Sequence, residues 1–247
     1  MGSAGDEPSL PVPSLLLDLP QPLRCDILAA VLSSAHGMRH AACVALTCHE
    51  LRSAVAAAAA RCREATVHHA WATDDCLRFV AQSCPRLERL SLPFCHAISH
   101  IGIATLASAP LAATLTTLSL QSCGDIGSGA CLHGLTALRD LDLTWSHNVT
   151  SDGLRPLAIQ LHHLNLHGCE LVDDTLCEDL PQIRELSIAY TRVGNVGLSA
   201  LALRSPRLYR LALARQQYNI MISSATTGLG EADFRRRRPD VTLVHVV

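Results

Sequence analysis

Residues 138–146 read LRDLDLTWS, and five other nonapeptides follow the same phrase: LERLSLPFC (87–95), LTTLSLQSC (115–123), LHHLNLHGC (161–169), IRELSIAYT (183–191) and LYRLALARQ (208–216). Each has an aliphatic side chain at its first, fourth and sixth positions, as with Leu138, Leu141 and Leu143. Each closes on Cys, Ser, Thr or Gln at the ninth. First positions fall at 87, 115, 138, 161, 183 and 208, so successive steps are 28, 23, 23, 22 and 25 residues. A unit of this size cannot bury its own apolar side, and the copies must stack to share one core.

An L-x-x-L-x-L phrase returning every 20–29 residues or so resembles the leucine-rich repeat. The stretch TDDCLRFVAQSCPRL (73–87) resembles the convex half of the cysteine-containing class, in which a helix ends on Cys-Pro-x-Leu. That resemblance implies an α/β solenoid over 63–216, a right-handed horseshoe segment with parallel strands on its concave face and helices on its convex face. Thr73, Asp74 and Asp75 suit a helix start, because their oxygens accept the free amides of the first turn. VTSDGLRPLA (149–158), LVDDTLCEDL (171–180) and VGNVGLSALA (193–202) repeat the idea. Residues 63–86 form one degenerate unit before the first clear one, and APLAAT (109–114) is an extra loop. Cysteine at the ninth position reads as a small buried side chain bonding to neighbouring backbone. From 217 to 247 the period fails, and the stretch reads as an irregular segment and C-terminal cap with a last strand. In it, Arg235 to Arg238 read as a solvated face, with a nuclear-import or acidic-partner site as the alternative.

The front of the chain has another texture. Residues 1–14 are rich in Pro, Gly, Ser and acid and read as a disordered lead-in. Residues 15–60 read as three short helices, the third alanine-rich. LDLPQPLRCDILAAVL (17–32) followed by HAACVALTCHELRSA (40–54) resembles an F-box. The matching positions are Leu19, Pro20, Leu23, Ile27, Leu28, Leu32, Val44, Cys48, Leu51 and Arg52. The resemblance implies an F-box-like helical domain docking on the Skp adaptor, and through it on the cullin complex of an SCF ubiquitin ligase, with the chain monomeric inside a hetero-complex. Leu19, Pro20, Leu23, Ile27, Leu28, Leu32, Val44 and Cys48 would make that contact. The other reading of the same helices is a terminal cap over the first repeat.

Bulk properties narrow the function further. A net charge of −2 gives no electrostatic case for nucleic acid, and 3% aromatic residues are too few for base-stacking platforms. No apolar run has membrane-spanning length, and no secretion or myristoylation signal is legible. The 11 cysteines are an odd number with no C-x-x-C pair and read as reduced core residues, which points to cytoplasm, nucleus or both. The signatures H-E-x-x-H, G-x-S-x-G, G-x-x-x-x-G-K-[ST] and G-x-G-x-x-G do not occur, so the chain reads as a non-catalytic binding protein without a cofactor.

Alternation along each strand puts the third, fifth and seventh positions on the open side, and stacking turns them into columns. The third column is Arg89, Thr117, Asp140, His163, Glu185 and Arg210; the fifth includes Asp142 and Asn165; the seventh includes Gln121, Thr144 and His167. Arg89, Gln121, Asp140, Asp142, His163, Asn165, His167, Glu185 and Arg210 are the candidate target-binding residues. Their acidic, His-bearing centre favours a basic or polar segment. Two histidines and three carboxylates also have the ligand chemistry for a metal, but an open face without a pocket or supporting shell does not suit one.

Overall fold

The computed structural model describes residues 59–67, 72–214 and 226–246. Among them, eight strands pair in chain order, all parallel, in one sheet: β1 (Glu64–Thr66), β2 (Arg89–Ser91), β3 (Thr117–Ser119), β4 (Asp140–Asp142), β5 (His163–Asn165), β6 (Glu185–Ser187), β7 (Arg210–Ala214) and β8 (Thr242–Val246). Parallel neighbours need a crossover, and each crossover here runs behind the sheet. Five carry helices: α1 (Asp74–Ser83), α2 (His100–Ala107), α3 (Ser151–Ala158), α4 (Asn195–Arg204) and α5 (Gly228–Arg237). The fold is a leucine-rich repeat solenoid.

Register follows the repeat phrase. Third positions pair as Arg89↔Thr117, Thr117↔Asp140, Asp140↔His163, His163↔Glu185 and Glu185↔Arg210. The aliphatic residues at positions one, four and six of all six units are at most 5% exposed and form one continuous core. The degenerate first unit obeys the same frame with smaller side chains, since Glu64 pairs with Arg89 and Cys62, Ala65 and Val67 are buried.

Two crossovers differ from expectation. LVDDTLCEDL does not hold an α-helix; Asp174–Asp179 is a 3-10 helix capped by Asp173. This unit has the shortest step, and the 3-10 form rises further per residue, so fewer residues span the same height. The extra residues after α2 form the 3-10 turn Pro110–Ala113, which buries Leu111 and Ala112. The C-terminal stretch is also less irregular than its composition implied. Thr227 caps α5, Phe234 anchors it in the core at 1% exposure, and β8 then adds to β7 over five residues.

Glycine at the third position of four helices sets how closely successive crossovers stack. A Cβ on Gly102 would stand 2.3 Å from Asp74 Oδ1, and one on Gly197 would stand 2.5 Å from Asp174 Oδ1. Gly153 and Gly230 are equally tight, against Ser128 and Asn195. The space is used: Asp74 accepts bonds from Ser99 N (2.9 Å) and Ser99 Oγ (2.6 Å), and Asp174 Oδ1 from Gly194 N (2.6 Å) and Gly197 N (2.8 Å). A carboxylate at the start of one crossover thus satisfies amides at the start of the next.

Candidate functional site

The sheet's open face forms a cleft of about 730 Å³ lined from β3 to β8. The face stays largely open to solvent, as expected, and is curved into a shallow cleft whose walls are the outward side chains of the stacked strands. Eight of the nine concave-face candidates (Gln121, Asp140, Asp142, His163, Asn165, His167, Glu185 and Arg210, with Arg89 the exception) line it, alongside Trp145. Arg89 lies at the N-terminal end of the sheet, paired with Glu64 on β1.

The third column is a chain of matched polar groups. Thr117 Oγ1 donates to Asp140 Oδ2 (3.1 Å), and Asp140 Oδ1 lies 2.6 Å from His163 Nδ1. His163 Nε2 is 3.9 Å from Glu185 Oε1, and Arg210 reaches Glu185 Oε2 at 3.3 Å. Tyr209, from the second position, donates its hydroxyl to Glu185 Oε1 at 2.5 Å. The fifth column behaves differently. Asp142 Oδ1 accepts from Thr144 N (2.9 Å) and Thr144 Oγ1 (2.6 Å), and Asn165 Oδ1 accepts from His167 N (3.2 Å). These side chains fold back on the strand end, and among the described residues Asp142 has no ion pair within 4 Å.

Position seven only partly follows the alternation rule. Thr144, Ala189 and Ala214 are buried, whereas Gln121 and His167 are half-buried. The reason is the next residue. Phe94, Ser122, Trp145, Gly168 and Tyr190, all at position eight, have φ of 58°, 50°, 59°, 75° and 57°. The chain leaves β2 through β6 by a left-handed turn, so regular alternation stops there. That turn sets the position-eight residues in a row beside the cleft, whose rim Trp145 lines. The row was not anticipated, although reading the eighth position down the repeats would have displayed Phe94, Trp145 and Tyr190 together.

At the centre of this rim the rings touch. His167 meets Trp145 edge-on at 5.1 Å and Tyr190 at 5.0 Å, and Trp145 and Tyr190 lie 24° from parallel with centroids 6.3 Å apart. Gly168 makes room for this, because a Cβ there would stand 2.3 Å from Trp145 Cε3. Trp145 remains 39% exposed and Phe94 48%. Burial lowers the His167 pKa from its ordinary value, and the nearby Asp142 carboxylate opposes the shift.

The ninth-position ladder takes the anticipated structural form. Cys95, Cys123, Ser146 and Cys169 bond to the carbonyls of Val67 (3.5 Å), Leu92 (2.9 Å), Leu120 (3.4 Å) and Leu143 (3.1 Å), each at position six of the preceding unit. Thr191 departs from it, bonding to Ile188 of its own unit. Cys76, Cys84, Cys95, Cys123, Cys131, Cys169 and Cys177 are thiols outside any disulfide, and burial pushes those of Cys84 and Cys169 up to about 12. Thiols held protonated in this way are poor nucleophiles.

Arg238 is not part of a solvated basic face. Its guanidinium bonds to Ser205 O (2.7 Å) and Leu208 O (2.7 Å) while pairing with Asp240 (2.8 Å), and its side chain is 11% exposed. It satisfies carbonyls where the crossover after α4 returns to the sheet. Arg236 and Arg237 instead lie along α5 toward Asp233. Among the described residues no group of three or more His, Cys, Asp or Glu side chains is placed to hold a metal ion. Among those residues, too, no helix is long and apolar enough to cross a membrane. The proposed adaptor contacts Leu19, Pro20, Leu23, Ile27, Leu28, Leu32, Val44 and Cys48 lie outside the described residues.

Comparison with known proteins bears on the solenoid. The Leucine Rich repeat family model matches residues 134–158 and 181–202. No curated protein matches the chain. Among solved structures, a chain of the yeast Rad7–Elc1 complex is similar with a TM-score of 0.56 at 14% identity, over 76% of this chain and 50% of that one. The present chain therefore spans about half the length of that neighbour. An internalin (inlF) from Listeria monocytogenes is similar with a TM-score of 0.53 at 15% identity, over 87% of this chain and 69% of that one. Repeat phrase, sheet register and both neighbours agree: the chain carries leucine-rich repeats folded as a solenoid.

Proposed function

We propose that this protein is a substrate-recognition adaptor of an SCF-type cullin-RING ubiquitin ligase. The F-box-like residues 15–60 would dock on the Skp adaptor, and the concave cleft would hold the target. The observation that carries the reading is the joining of two features in one chain: the F-box-like pattern from Leu19 to Arg52, and after it a cleft across a parallel sheet lined by Asp140, Asp142, His163, Glu185 and Arg210. Ubiquitin transfer would be performed by other subunits. The chain's part is proximity, which raises the effective concentration of a target lysine at the ubiquitin carrier. It would act as one copy within a hetero-complex, in the cytoplasm, the nucleus or both. The Rad7–Elc1 neighbour, itself solved as a two-protein complex, is in keeping with an adaptor role.

A second reading has its own observation. Ala59 and Cys62, just before β1, are at most 4% exposed and belong to the solenoid core. The end of the N-terminal segment therefore packs as a cap would, and the chain on this reading is a scaffold or inhibitor outside the ubiquitin system. A pull-down with the Skp adaptor separates the two. The adaptor reading expects wild-type binding that is abolished by Leu19→Asp or Ile27→Asp while the circular-dichroism melt of the repeats is unchanged. Binding that never occurs, or that survives both substitutions, selects the scaffold.

A further inference from the structure

Resting on the reading of the cleft as a partner-binding face, we propose that Asp142 and Trp145 form a seat for one cationic side chain, arginine or lysine, of an extended target segment. Charge complementarity singles out this point. Of the carboxylates lining the cleft, Asp140 is engaged by His163 and Glu185 by Arg210 and Tyr209. Asp142 takes both its bonds from Thr144 on Oδ1 alone, which leaves Oδ2 for a ligand.

Three residues further along, Trp145 lines the same cleft and is part-exposed as a residue. Its face is the best side-chain partner for a cation, and a carboxylate alongside supplies the counter-charge. The ring is held in place. His167 and Tyr190 brace it, and Gly168 gives it space. A ring ordered before binding loses little conformational freedom when a partner arrives. The Thr144 bonds likewise fix the Asp142 carboxylate. An aliphatic side chain in the seat would cover Trp145 but strand Asp142 away from water, and an acidic one would meet Asp142 with like charge. The occupant is therefore a basic segment, lying along the cleft with its cation at the β4 end.

The test uses the full-length chain and five pools of fluorescein-labelled nonapeptides, each random at eight positions and fixed at the centre as Arg, Lys, Glu, Leu or Ser. Fluorescence polarisation should show the Arg and Lys pools bound at least tenfold more tightly than the Glu pool, and more tightly than Leu or Ser. Asp142→Asn keeps an oxygen for Thr144 while removing the charge, and should erase the preference. Trp145→Ala should weaken the Arg pool at least fivefold, and Trp145→Tyr should restore most of the loss. Equal binding of all pools, a preference for Leu or Glu, or an Arg preference that survives both Asp142→Asn and Trp145→Ala would overturn the proposal. Melting curves of each variant separate lost folding from lost binding, and Asp142→Asn, being isosteric, decides the matter if Trp145→Ala unfolds. Skp-adaptor binding measured on the same samples reports independently on the ubiquitin reading, so either can fail alone.

Discussion

Arg238 shows how one side chain can close a solenoid. It fills the space between the last helical crossover and the preceding unit and bonds to the carbonyls of Ser205, which also accepts from Leu208 N, and of Leu208. Hydrogen bonds from a charged donor contribute about 1.5–3 kcal/mol each, and stranding buried acceptors adds to the loss. Arg238→Ala should therefore cost about 2–4 kcal/mol in urea unfolding, and Arg238→Lys should recover only part of it, because an ammonium cannot span both carbonyls as a planar fork does. His167 makes a second prediction at this scale. Its folded pKa lies below the ordinary value, so the unfolded chain binds a proton first as pH falls. The stabilisation is fully present above about pH 6.5 and is lost as pH drops through the window between that value and the lowered one. His167→Gln should flatten the fall in stability measured between pH 7.5 and 5.5. The buried thiols give a third: Cys84 and Cys169 should resist iodoacetamide in the native protein and become labelled once urea unfolds it, as read by peptide mass spectrometry.

At the scale of the element, each crossover is fitted to its neighbour by a missing side chain. Gly197 lies between Asp174, Val193 and Cys177, and Gly197→Ala forces either the carboxylate or the 3-10 turn to move. Overpacking of this kind costs about 1–3 kcal/mol, and the chevron or equilibrium melt of the variant should register it. This scale also marks how far the chain could be read beforehand. Strands, register and core at positions one, four and six followed from L-x-x-L-x-L, because period-two alternation and stacking leave a strand no other arrangement. The left-handed turn at position eight was not legible, since nothing in the residue types Phe94, Ser122, Trp145 and Tyr190 announces a positive φ; the repeat imposes it on all of them. The helix Gly228–Arg237 escaped for a similar reason. It holds two glycines and exposes Leu229 at 84%, and it stands through the Thr227 cap and the single anchor Phe234 instead of an apolar stripe. The 3-10 turn at Asp174–Asp179 is set by the length of its unit, which no local propensity encodes.

For the molecule as a whole, the arrangement is close to one-dimensional, each unit touching the next. Stability then depends on covered ends. A chain ending at Gln216 lacks α5 and β8, which leaves β7 as an open edge with Leu211 and Leu213 losing their neighbour. It should melt earlier than the full chain and scatter light on heating, as open strand edges pair with one another. The candidate cleft was partly foreseen at this scale. The third column joined as expected because equal positions in parallel register are near neighbours, and the sequence alone named Asp140, His163, Glu185 and Arg210. Its curvature into a cleft, and the aromatic rim above it, arise only when the units are stacked.

The left-handed turn at position eight separates two jobs that most protein surfaces combine. The backbone there is dictated by the repeat, while the side chain hangs outside the leucine core. Phe94, Ser122, Trp145 and Tyr190 are thus like type set in a fixed frame, with Gly168 as the blank that makes room for Trp145: the letters can be exchanged without recasting the frame. A relative with other residues in those four lettered slots would keep the same architecture and greet a different clientele.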